Sequence, residues 1–324
     1  MRAWQVQRHG SPTEALTLTD IDEPSPGPGE MRVTVQAVAI GAPDAFMCQS
    51  TYRLTPPLPF VAGQEVCGIV DEVGEGVDVP VGSRVMAVTN FFDGRGGFAE
   101  KTIVRPASAY RVPDGMHAAD AAGFRIGYST GWIGIVRRGQ LQAGENLLVL
   151  GAAGGSGITA VQLGAARGAR VIAVAAGPDK LDFCRSMGAE VLIDRTTEDV
   201  PKAVLAATGG KGANVIYDPV GGDAAEAALR CIAPFGRMLA VGFASGSWVD
   251  VNTAHAVQYN DSLVGVYASG LTRAQNEEDH EALLSLHQRG KLASFVQVRL
   301  FEELPQAIED VAASRVIGKL AVVP

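Results

Sequence analysis

Short apolar runs, alternating or continuous, recur through residues 1–115 and are separated by stretches rich in turn-forming residues. Runs of this length and pattern are typical of β-strands. The predicted strands cover residues 32–40, 65–73, 83–88 and 98–104, and the clearest turn regions are 23–30 and 71–82. Segments with helical periodicity are scarce before residue 116, so we predict a β-rich unit in this part of the chain.

A different rhythm begins at residue 145, where short apolar segments alternate with helix-length segments. The predicted strands cover 146–150, 169–175, 190–193, 213–217 and 237–242, and the predicted helices cover 157–167, 178–187, 197–207 and 223–232. Apolar strands that alternate with helices of about ten residues indicate parallel βαβ units. We therefore predict an α/β fold with a doubly wound parallel sheet.

The pattern changes again after residue 261. An apolar run at 263–267 and a polar helix at 273–289 precede two further strand segments, 295–300 and 319–323. We therefore predict that the α/β unit is inserted into the β-rich unit, to which the end of the chain returns. The predicted domains are 1–118 for the first part of the β-rich domain, 119–262 for the α/β domain and 263–324 for the return.

Composition narrows the class of protein. Of the 324 residues, 47% are apolar and 19% are charged, which is below a typical charged fraction of about 25%. A chain this long and apolar buries a sizeable core, which excludes a disordered or metal-stapled small protein. The net charge of −8 argues against a nucleic-acid partner, which requires clustered positive charge. The four cysteines form no CxxC pair, so neither a zinc ribbon nor a disulfide framework is predicted.

One stretch, residues 147–166, holds no charged residue and is nominally long enough to span a membrane. Five glycines interrupt it, four of them between residues 151 and 157, and such a cluster breaks a continuous helix. Residues 1–10 lack the apolar core of a signal peptide. We therefore expect a cytoplasmic protein without a membrane partner.

Residues 147–160, LLVLGAAGGSGITA, predict an apolar strand, a glycine-rich turn and the start of a helix. The first N–H groups of a helix lack internal partners and its dipole is positive there, which suits a diphosphate. The dinucleotide fingerprint G-x-G-x-x-G/A fits in two registers, one with Ala152 in place of the first glycine and one that begins at Gly155. We predict a Rossmann-type nucleotide site; the alternative is a turn whose glycines serve only close packing.

The strand that follows this turn ends in Val174-Ala175-Ala176-Gly177. A site for NAD usually has Asp or Glu at this point, because its carboxylate binds the ribose 2′-hydroxyl. That acid is missing, whereas Lys180 lies just beyond and Arg195 follows the next predicted strand. Because a 2′-phosphate requires cations, we predict NADPH as the cofactor. The alternative for Lys180 is an ordinary exposed lysine on a helix, and the alternative for Arg195 is an ordinary loop arginine; neither would then bind a phosphate.

Other catalytic motifs are weak or missing. The histidines form no HExxH pattern, and residues 127–131 match GxSxG without a solid strand before them to build a nucleophile elbow. The absence of YxxxK disfavours a short-chain reductase, and the absence of GxxxxGK[ST] disfavours a P-loop enzyme.

Several segments together resemble the medium-chain dehydrogenase/reductase superfamily, and within it the zinc-free NADPH:quinone oxidoreductases. They are PLPFVAGQE at 57–65, GFAE at 97–100, GAAGGSG at 151–157, YDPVGG at 217–222, LAVGFASG at 239–246 and Gly318-Lys319. The resemblance covers essentially the whole chain. It implies a GroES-like β-barrel catalytic domain with an inserted Rossmann domain, and NADPH in the cleft between them.

The resemblance excludes the zinc-dependent branch of the superfamily at two matched positions. The first catalytic Cys ligand of that branch falls on Gly41, and the histidine of its Gly-His-Glu segment falls on Gln64. Glycine has no ligating side chain, and an amide is a poor zinc ligand. The lobe that carries four structural cysteines is also missing, so we expect no metal.

The resemblance also assigns cofactor-binding residues. Thr130 should approach the nicotinamide end, and Arg195 stands where many relatives have Tyr. The residues that should hold the diphosphate, the adenosine phosphate and the nicotinamide are, in chain order, Ala153, Gly154, Gly155, Ser156, Gly157, Ala176, Lys180, Arg195, Gly242, Phe243 and Ser245.

The substrate side departs from the family pattern. Relatives often have Asn at the position of Gly41 and sometimes Tyr at that of Phe46, so two polar groups are missing, whereas Tyr52 matches. Hydride transfer to a quinone or enone builds negative charge on the carbonyl oxygen, which a phenol or amide donor stabilises. The candidate donors are Tyr52 and Asn90; the alternatives are an aromatic wall for Tyr52 and a loop-stabilising role for Asn90.

We therefore predict a zinc-independent, NADPH-dependent reductase that transfers hydride to quinones or other activated alkenes and carbonyls. Two alternatives stay open: an alkenal or enoyl-thioester reductase, and a non-catalytic NADPH-binding protein of the same fold. We also expect a homodimer, in which the run 263–267 pairs as an edge strand with its copy.

Overall fold

The computed structural model describes residues 1–268 and 270–324. Its strands are β1 (Arg2–Val6), β2 (Leu16–Asp20), β3 (Met31–Ile40), β4 (Phe60–Val61), β5 (Glu65–Val73), β6 (Arg84–Thr89), β7 (Lys101–Arg111), β8 (Asn146–Val149), β9 (Arg170–Ala175), β10 (Val191–Asp194), β11 (Ala213–Asp218), β12 (Ile232–Ala240), β13 (Ser262–Gly265), β14 (Val296–Leu300) and β15 (Lys319–Val323).

Its α-helices are α1 (Pro12–Ala15), α2 (Ala42–Cys48), α3 (Ala118–Trp132), α4 (Gly155–Ala166), α5 (Pro178–Ser186), α6 (Val200–Ala207), α7 (Gly222–Leu229), α8 (Thr253–Tyr259), α9 (Arg273–Gln288) and α10 (Leu304–Ala312). A π-helical segment, Ile133–Arg138, follows α3, and Phe91–Asp93 and Phe301–Glu303 form 3₁₀ turns.

The chain forms two compact units. The first comprises Met1–Ile126 and Ser294–Pro324, and the second comprises Gly127–Ala293. Residues 119–126 therefore lie in the first unit and residues 263–293 in the second, because β13 pairs with β12 and the chain leaves the second unit only after α9. The sequence places the domain boundaries after residues 118 and 262, and assigns catalysis to one domain and cofactor binding to the other. That assignment stays a prediction.

The first unit contains a closed β-barrel. Its six-stranded sheet has the order β14-β15-β3-β5-β6-β7, and β3 also pairs with β7, so that β3, β5, β6 and β7 form a ring. The pairings within the ring are antiparallel, and β15 joins it antiparallel to β3. A separate three-stranded sheet has the order β2-β1-β4. The predicted β-rich unit, and the return of the chain to it, are confirmed.

The barrel packs tightly because its strands alternate as the sequence pattern predicts. Met31, Val33 and Val35 on β3 are buried and alternate with more exposed residues. Gly68 on β5 allows the neighbouring strand to approach, since a Cβ there would lie 2.2 Å from the backbone oxygen of Thr34. A side chain at this position is therefore sterically excluded.

The second unit is a parallel sheet of the order β10-β9-β8-β11-β12-β13. Every pairing in it is parallel. Numbered along this unit, the order is 3-2-1-4-5-6, the Rossmann arrangement, and the chain reverses its direction of winding between β8 and β11. The predicted Rossmann-type doubly wound sheet is confirmed. In such sheets the crevice at the carboxyl ends of the strands, at the point of reversal, is where ligands bind.

Helix α4 lies directly on the centre of this sheet. A Cβ at Gly164 would meet Leu147 Cδ2 at 2.5 Å and Val171 Cγ2 at 3.0 Å, so the small residue lets the helix approach β8 and β9. The uncharged stretch 147–166 is thus divided into β8, a turn and α4. In the ranges 1–268 and 270–324, no helix combines the length and apolar character needed to cross a membrane.

Candidate functional site

The glycine-rich turn joins the carboxyl end of β8 to the start of α4. Gly151 adopts a φ of +56°, which favours glycine, and the N–H of Ala152 donates to the carbonyl of Val174 at the end of β9. Gly154 is the N-cap residue of α4 in an extended conformation. The free N–H groups at the helix start therefore lie at the carboxyl edge of the sheet, beside the point of reversal.

The packing of this turn distinguishes the two registers of the fingerprint. A Cβ at Gly157 would lie 2.3 Å from the backbone oxygen of Gly151 and 2.8 Å from Cα of Ala152. Gly157 thus performs the close-packing role of the third glycine, and Gly154, at the N-cap, falls on the second. The register that begins at Ala152 is the one that fits.

The predicted diphosphate residues all lie at this helix start. Ala153 is buried, and Gly154, Gly155 and Ser156 are half-buried. The hydroxyl of Ser156 hydrogen-bonds the phenol of Tyr217 at 3.0 Å, and burial raises the pKa of Tyr217 to about 12. Tyr217 is therefore protonated at neutral pH. An anion that binds the N–H groups of the turn would meet no negative charge on this phenol.

A second loop pair lies at the ends of β9 and β10. The N–H of Arg195 donates to the carbonyl of Ala175 at 3.0 Å, which ties the two strand ends together. Ala176 and Gly177 follow β9, and Gly177, with a φ of +82°, is the N-cap residue of α5. The carboxylate of Asp194 accepts from Gly177 N at 3.2 Å, so it fixes the start of the helix that carries Lys180.

Lys180 and Arg195 face each other closely enough for their charges to interact. Partial burial and, to a smaller extent, the positive charge of Arg195 lower the pKa of Lys180. Asp194 is a nearby carboxylate, and hydrogen bonds from the hydroxyl and N–H of Thr196 hold the pKa of Asp194 below its usual range. A phosphate dianion placed here would be stabilised by both cations.

The third loop, residues 242–247, packs against the turn that follows β11. Gly242 N donates to the carbonyl of Asp218 at 3.2 Å, and a Cβ at Gly221 would lie 2.2 Å from the backbone oxygen of Ser247. Phe243 packs on Trp248 with ring centroids 4.8 Å apart. Gly242, Phe243 and Ser245 therefore share one loop that the turn after β11 supports.

Helix α3 carries Thr130, which is half-buried. On the same helix, a Cβ at Gly131 would meet Leu163 Cδ1 at 2.8 Å and Thr159 Oγ1 at 3.3 Å, so this part of α3 packs on α4. Residues 127–131 lie within the helix, and the GxSxG match is not a nucleophile elbow, which requires a strand-to-helix turn.

Asn90 lies in the first unit, immediately before the 3₁₀ turn, and is 2% exposed. Its Nδ2 donates to Glu30 Oε1 at 2.8 Å, and Arg95 donates to both oxygens of the same carboxylate. The hydrogen bonds from Arg95 hold the pKa of Glu30 below its usual range. Asn90 thus anchors its loop, which favours the loop-stabilising alternative, and its catalytic role stays a prediction.

Tyr52 follows α2 and packs, half-buried, against the apolar core of the first unit. Its backbone carbonyl accepts from the hydroxyl of Thr55 at 2.6 Å, which fixes the turn after the helix. Gly41 and Phe46, where relatives often have polar side chains, are the N-cap and a middle residue of α2. The role of Tyr52 as a hydrogen-bond donor to substrate stays a prediction.

The two positions matched to zinc ligands, Gly41 and Gln64, are connected through Asp44. Asp44 Oδ2 accepts from Gly41 N at 2.7 Å, and Oδ1 accepts from the N–H of Gly63, the residue before Gln64, at 3.2 Å. Burial raises the pKa of Asp44 to about 7, although these bonds and the charge of Lys319 act in the opposite direction.

A buried ion pair lies beside this carboxylate. Lys319 pairs with Glu65, and the second oxygen of Glu65 accepts from the N–H of Ile126 at 2.9 Å. Among residues 1–268 and 270–324, no group of three or more His, Cys, Asp or Glu side chains is arranged to hold a metal ion. The expectation that the protein works without zinc stays a prediction.

Both compact units match family models. Residues 27–114 match the alcohol dehydrogenase GroES-like domain, and residues 155–287 match the zinc-binding dehydrogenase domain. The chain is 37% identical to the quinone oxidoreductase-like protein 2 homolog of Nematostella vectensis, over 74% of this chain and 66% of that protein, about two thirds of its length. It is 32% identical to the quinone oxidoreductase of Pseudomonas aeruginosa over 99% of this chain and 98% of the relative.

This chain belongs to the medium-chain dehydrogenase/reductase superfamily. Within that superfamily it is an oxidoreductase of the quinone oxidoreductase-like group. The solved structure of Escherichia coli quinone oxidoreductase in complex with NADPH has a TM-score of 0.91 to this chain and 26% identity, with 100% of both chains covered. The resemblance inferred from the sequence motifs is confirmed.

Three residues of this superfamily member were not predicted from its sequence: Asp44, Asp194 and Glu30. Asp44 follows Gly41 by three residues, a spacing typical of helix capping, so a local signal exists. Asp194 directly precedes Arg195 at a strand end. Glu30 has no local signal, because its partners Asn90 and Arg95 are distant in sequence.

We expect the stability of the protein to depend on pH through Asp44. Because the pKa of Asp44 is about 7 in the folded protein against an ordinary 3.8, the folded state binds the proton more tightly and the free energy of unfolding falls as pH rises through that window. Asp44→Asn removes this titration. The decrease in Tm between about pH 5 and pH 8, measured by circular dichroism, should be smaller in the variant than in the wild type.

The control is Asp114→Asn, because Asp114 is fully exposed on the surface of the same unit. Its Tm should follow the wild-type pH dependence. Parallel Tm curves for the wild type and Asp44→Asn would contradict the raised pKa.

Proposed function

We propose that this protein is a zinc-independent, NADPH-dependent reductase that transfers hydride to quinones or other activated alkenes and carbonyls. The observation that carries the proposal is the proximity of Lys180 and Arg195 beside the end of β9, where Ala175 and Ala176 stand in place of the usual acid. A 2′-phosphate fits these two cations, whereas the acid that usually binds the ribose 2′-hydroxyl of NADH is missing at the end of β9.

The remaining parts of the cofactor fit the other two loops. The diphosphate fits the N–H groups at the start of α4, around Gly154, Gly155 and Ser156, where Gly157 keeps the backbone close. The loop with Gly242, Phe243 and Ser245 fits the nicotinamide, with Thr130 at that end. The NADPH complex of the Escherichia coli relative supports the choice of cofactor.

When bound, the cofactor supplies a hydride from its nicotinamide ring. The part of the protein is to orient the reacting groups and to stabilise the negative charge that develops on the acceptor oxygen. Tyr52 is the proposed phenol donor for that oxygen. No metal ligand is available at Gly41 or Gln64, so polarisation of the oxygen falls to hydrogen-bond donors.

The proposed reaction is tested by NADPH oxidation at 340 nm with quinones, enones, alkenals and enoyl thioesters. We expect turnover with quinones or enones, and we expect a zinc chelator to leave the rate unchanged. Faster turnover of an alkenal or enoyl thioester would favour that alternative. Tight NADPH binding without turnover of any acceptor would favour a non-catalytic NADPH-binding protein.

The proposed cofactor preference depends on Lys180. Charge-assisted hydrogen bonds contribute roughly 1.5–3 kcal/mol each, so Lys180→Ala should weaken NADPH binding about tenfold to a hundredfold. Binding of NADH should hardly change, because NADH lacks the 2′-phosphate. Nicotinamide fluorescence titration at low and high salt measures both affinities, and salt should weaken NADPH binding more.

Lys202→Ala is the matched control, since Lys202 is an exposed helix lysine of the same unit. It should leave both cofactor affinities unchanged. Equal affinity of the unmodified protein for NADPH and NADH would show that neither Lys180 nor Arg195 reaches the phosphate.

We also propose that the protein is a homodimer that pairs through β13. This strand is the last of the parallel sheet, and Leu263 on it and Tyr267 beyond it are 49% and 61% exposed. Light scattering at micromolar concentration should give about twice the chain mass of 33.8 kDa. Leu263→Lys should shift the mass toward that of one chain.

The matched control for this substitution is Val298→Lys, because Val298 is a similarly exposed apolar residue on β14, the edge strand of the other six-stranded sheet. By light scattering, Val298→Lys should have the same mass as the unmodified protein. A mass of one chain for the unmodified protein would contradict the dimer.

A further inference from the structure

The carboxylate of Asp194, the last residue of β10, connects the two loops from which Lys180 and Arg195 project. Its Oδ1 accepts from Gly177 N at 3.2 Å, from Thr196 N at 2.9 Å and from the Thr196 hydroxyl at 2.6 Å. Gly177 belongs to the loop after β9, and Thr196 belongs to the loop after β10. One carboxylate oxygen therefore holds both loops.

The backbone of Asp194 closes the loop that contains Arg195. Its carbonyl accepts from Thr197 N at 3.1 Å and from Glu198 N at 2.8 Å, and its N–H donates to Glu198 Oε1 at 2.8 Å. Arg195 N donates to the carbonyl of Ala175 at the end of β9. The backbone around Arg195 is therefore fixed before any ligand binds.

The bond to Gly177 fixes the start of the helix that carries the other cation. Gly177 is the N-cap residue of α5, and Lys180 is the third residue of that helix, so it lies in the first turn. A displacement of Gly177 would therefore displace Lys180 as well. Because Lys180 and Arg195 are like charges at close range, they repel each other, and the contacts through Asp194 oppose their separation.

An acid near the adenosine ribose usually favours NADH, because its carboxylate binds the 2′-hydroxyl and repels a 2′-phosphate. That acid ordinarily follows the strand that corresponds to β9, whereas Asp194 stands at the end of the neighbouring β10. Its Oδ1 already accepts three hydrogen bonds from the protein. These bonds give Asp194 a function within the protein that needs no ribose hydroxyl.

We propose that Asp194 is a positioning residue for NADPH, which holds Lys180 and Arg195 together so that both bind the 2′-phosphate. The inference rests on the cofactor preference proposed above. Asp194 acts through the two cations and not through a contact of its own with the phosphate. An acid of the kind that is typical of NADH sites thus supports the binding of NADPH.

The first test is Asp194→Ala, which removes the connection between the two loops. We expect NADPH binding to weaken about tenfold, roughly the contribution of one cation, and NADH binding to change less than about threefold. The salt dependence of NADPH binding should also decrease, because the cations are no longer held on one phosphate. Nicotinamide fluorescence titration at low and high salt measures these affinities without turnover.

Asp194→Asn separates the hydrogen bonds of the side chain from its charge. The amide oxygen of asparagine can still accept from Gly177 and Thr196, whereas the negative charge is removed. We expect this variant to bind NADPH at least as tightly as the wild type, because a like charge near the phosphate is lost while the loops stay connected.

The matched control is Asp199→Ala. Asp199 is the N-cap residue of α6 in the same unit, and its carboxylate accepts from Lys202 N at 3.0 Å. Both alanine variants should lower Tm, because each removes an acceptor for backbone N–H groups. Asp199→Ala should leave the affinities for NADPH and NADH unchanged.

An unchanged NADPH affinity of Asp194→Ala, or a tenfold loss in Asp194→Asn, would overturn the inference. A larger loss of NADH affinity than of NADPH affinity in either variant would also overturn it, since the carboxylate would then bind the ribose hydroxyl. In these cases the proposed cofactor preference stands if the unmodified protein prefers NADPH. Equal affinity of the unmodified protein for both cofactors would overturn that preference and this inference together.

Discussion

The Rossmann half of the molecule depends on one steric constraint, the approach of α4 to the turn that precedes it. The backbone oxygen of Gly151 would lie 2.3 Å from a Cβ at Gly157, so the helix starts where it does only because that residue has no side chain. Glycine within a helix costs about 0.5–1 kcal/mol relative to alanine. The small residue places unpaired N–H groups at the carboxyl edge of the sheet, beside the point where the winding reverses between β8 and β11.

The barrel half depends on buried charge around Gly41 and Gln64. Asp44 connects the start of α2 to the turn before β5, and the Glu65–Lys319 pair lies beside it. Buried ion pairs contribute little net stability, because desolvation opposes their attraction, but removing one partner is strongly unfavourable. These groups therefore fix the geometry around Gly41 and Gln64 rather than adding to the stability of the fold.

Local patterns in the sequence predict much of this architecture. Alternation predicts β5 at its observed limits, and the βαβ rhythm predicts β8 to β11 almost at theirs, whereas β12 begins earlier, at Ile232, than the predicted residue 237. The glycine motif predicts the turn but not its register, since both spacings are consistent with the fingerprint. Only the contact between Gly157 and Gly151 distinguishes them.

Contacts between distant segments are less accessible to such reasoning. The bond between Asn90 and Glu30 joins residues 60 positions apart, and no periodicity indicates it. The point where the second unit ends along the chain also depends on a distant contact. The apolar run 263–267 overlaps β13, which pairs with β12 and so belongs to the second unit. The sequence predicts that Lys180 and Arg195 bind one phosphate, because a 2′-phosphate requires cations. Their closeness follows from the structure, in which β9 and β10 are parallel neighbours whose carboxyl ends lie at one edge.

The closeness of those two cations has a consequence for the protein before any cofactor arrives. Their mutual repulsion is maintained by the backbone bond between Arg195 and Ala175, so any small dianion that enters relieves it. Inorganic phosphate and nucleotides with a free phosphate carry the same charge as the adenosine 2′-phosphate. In the site that we propose, they would compete with the 2′-phosphate for this corner of the sheet, and the composition of the surrounding medium would set how much of the site is available.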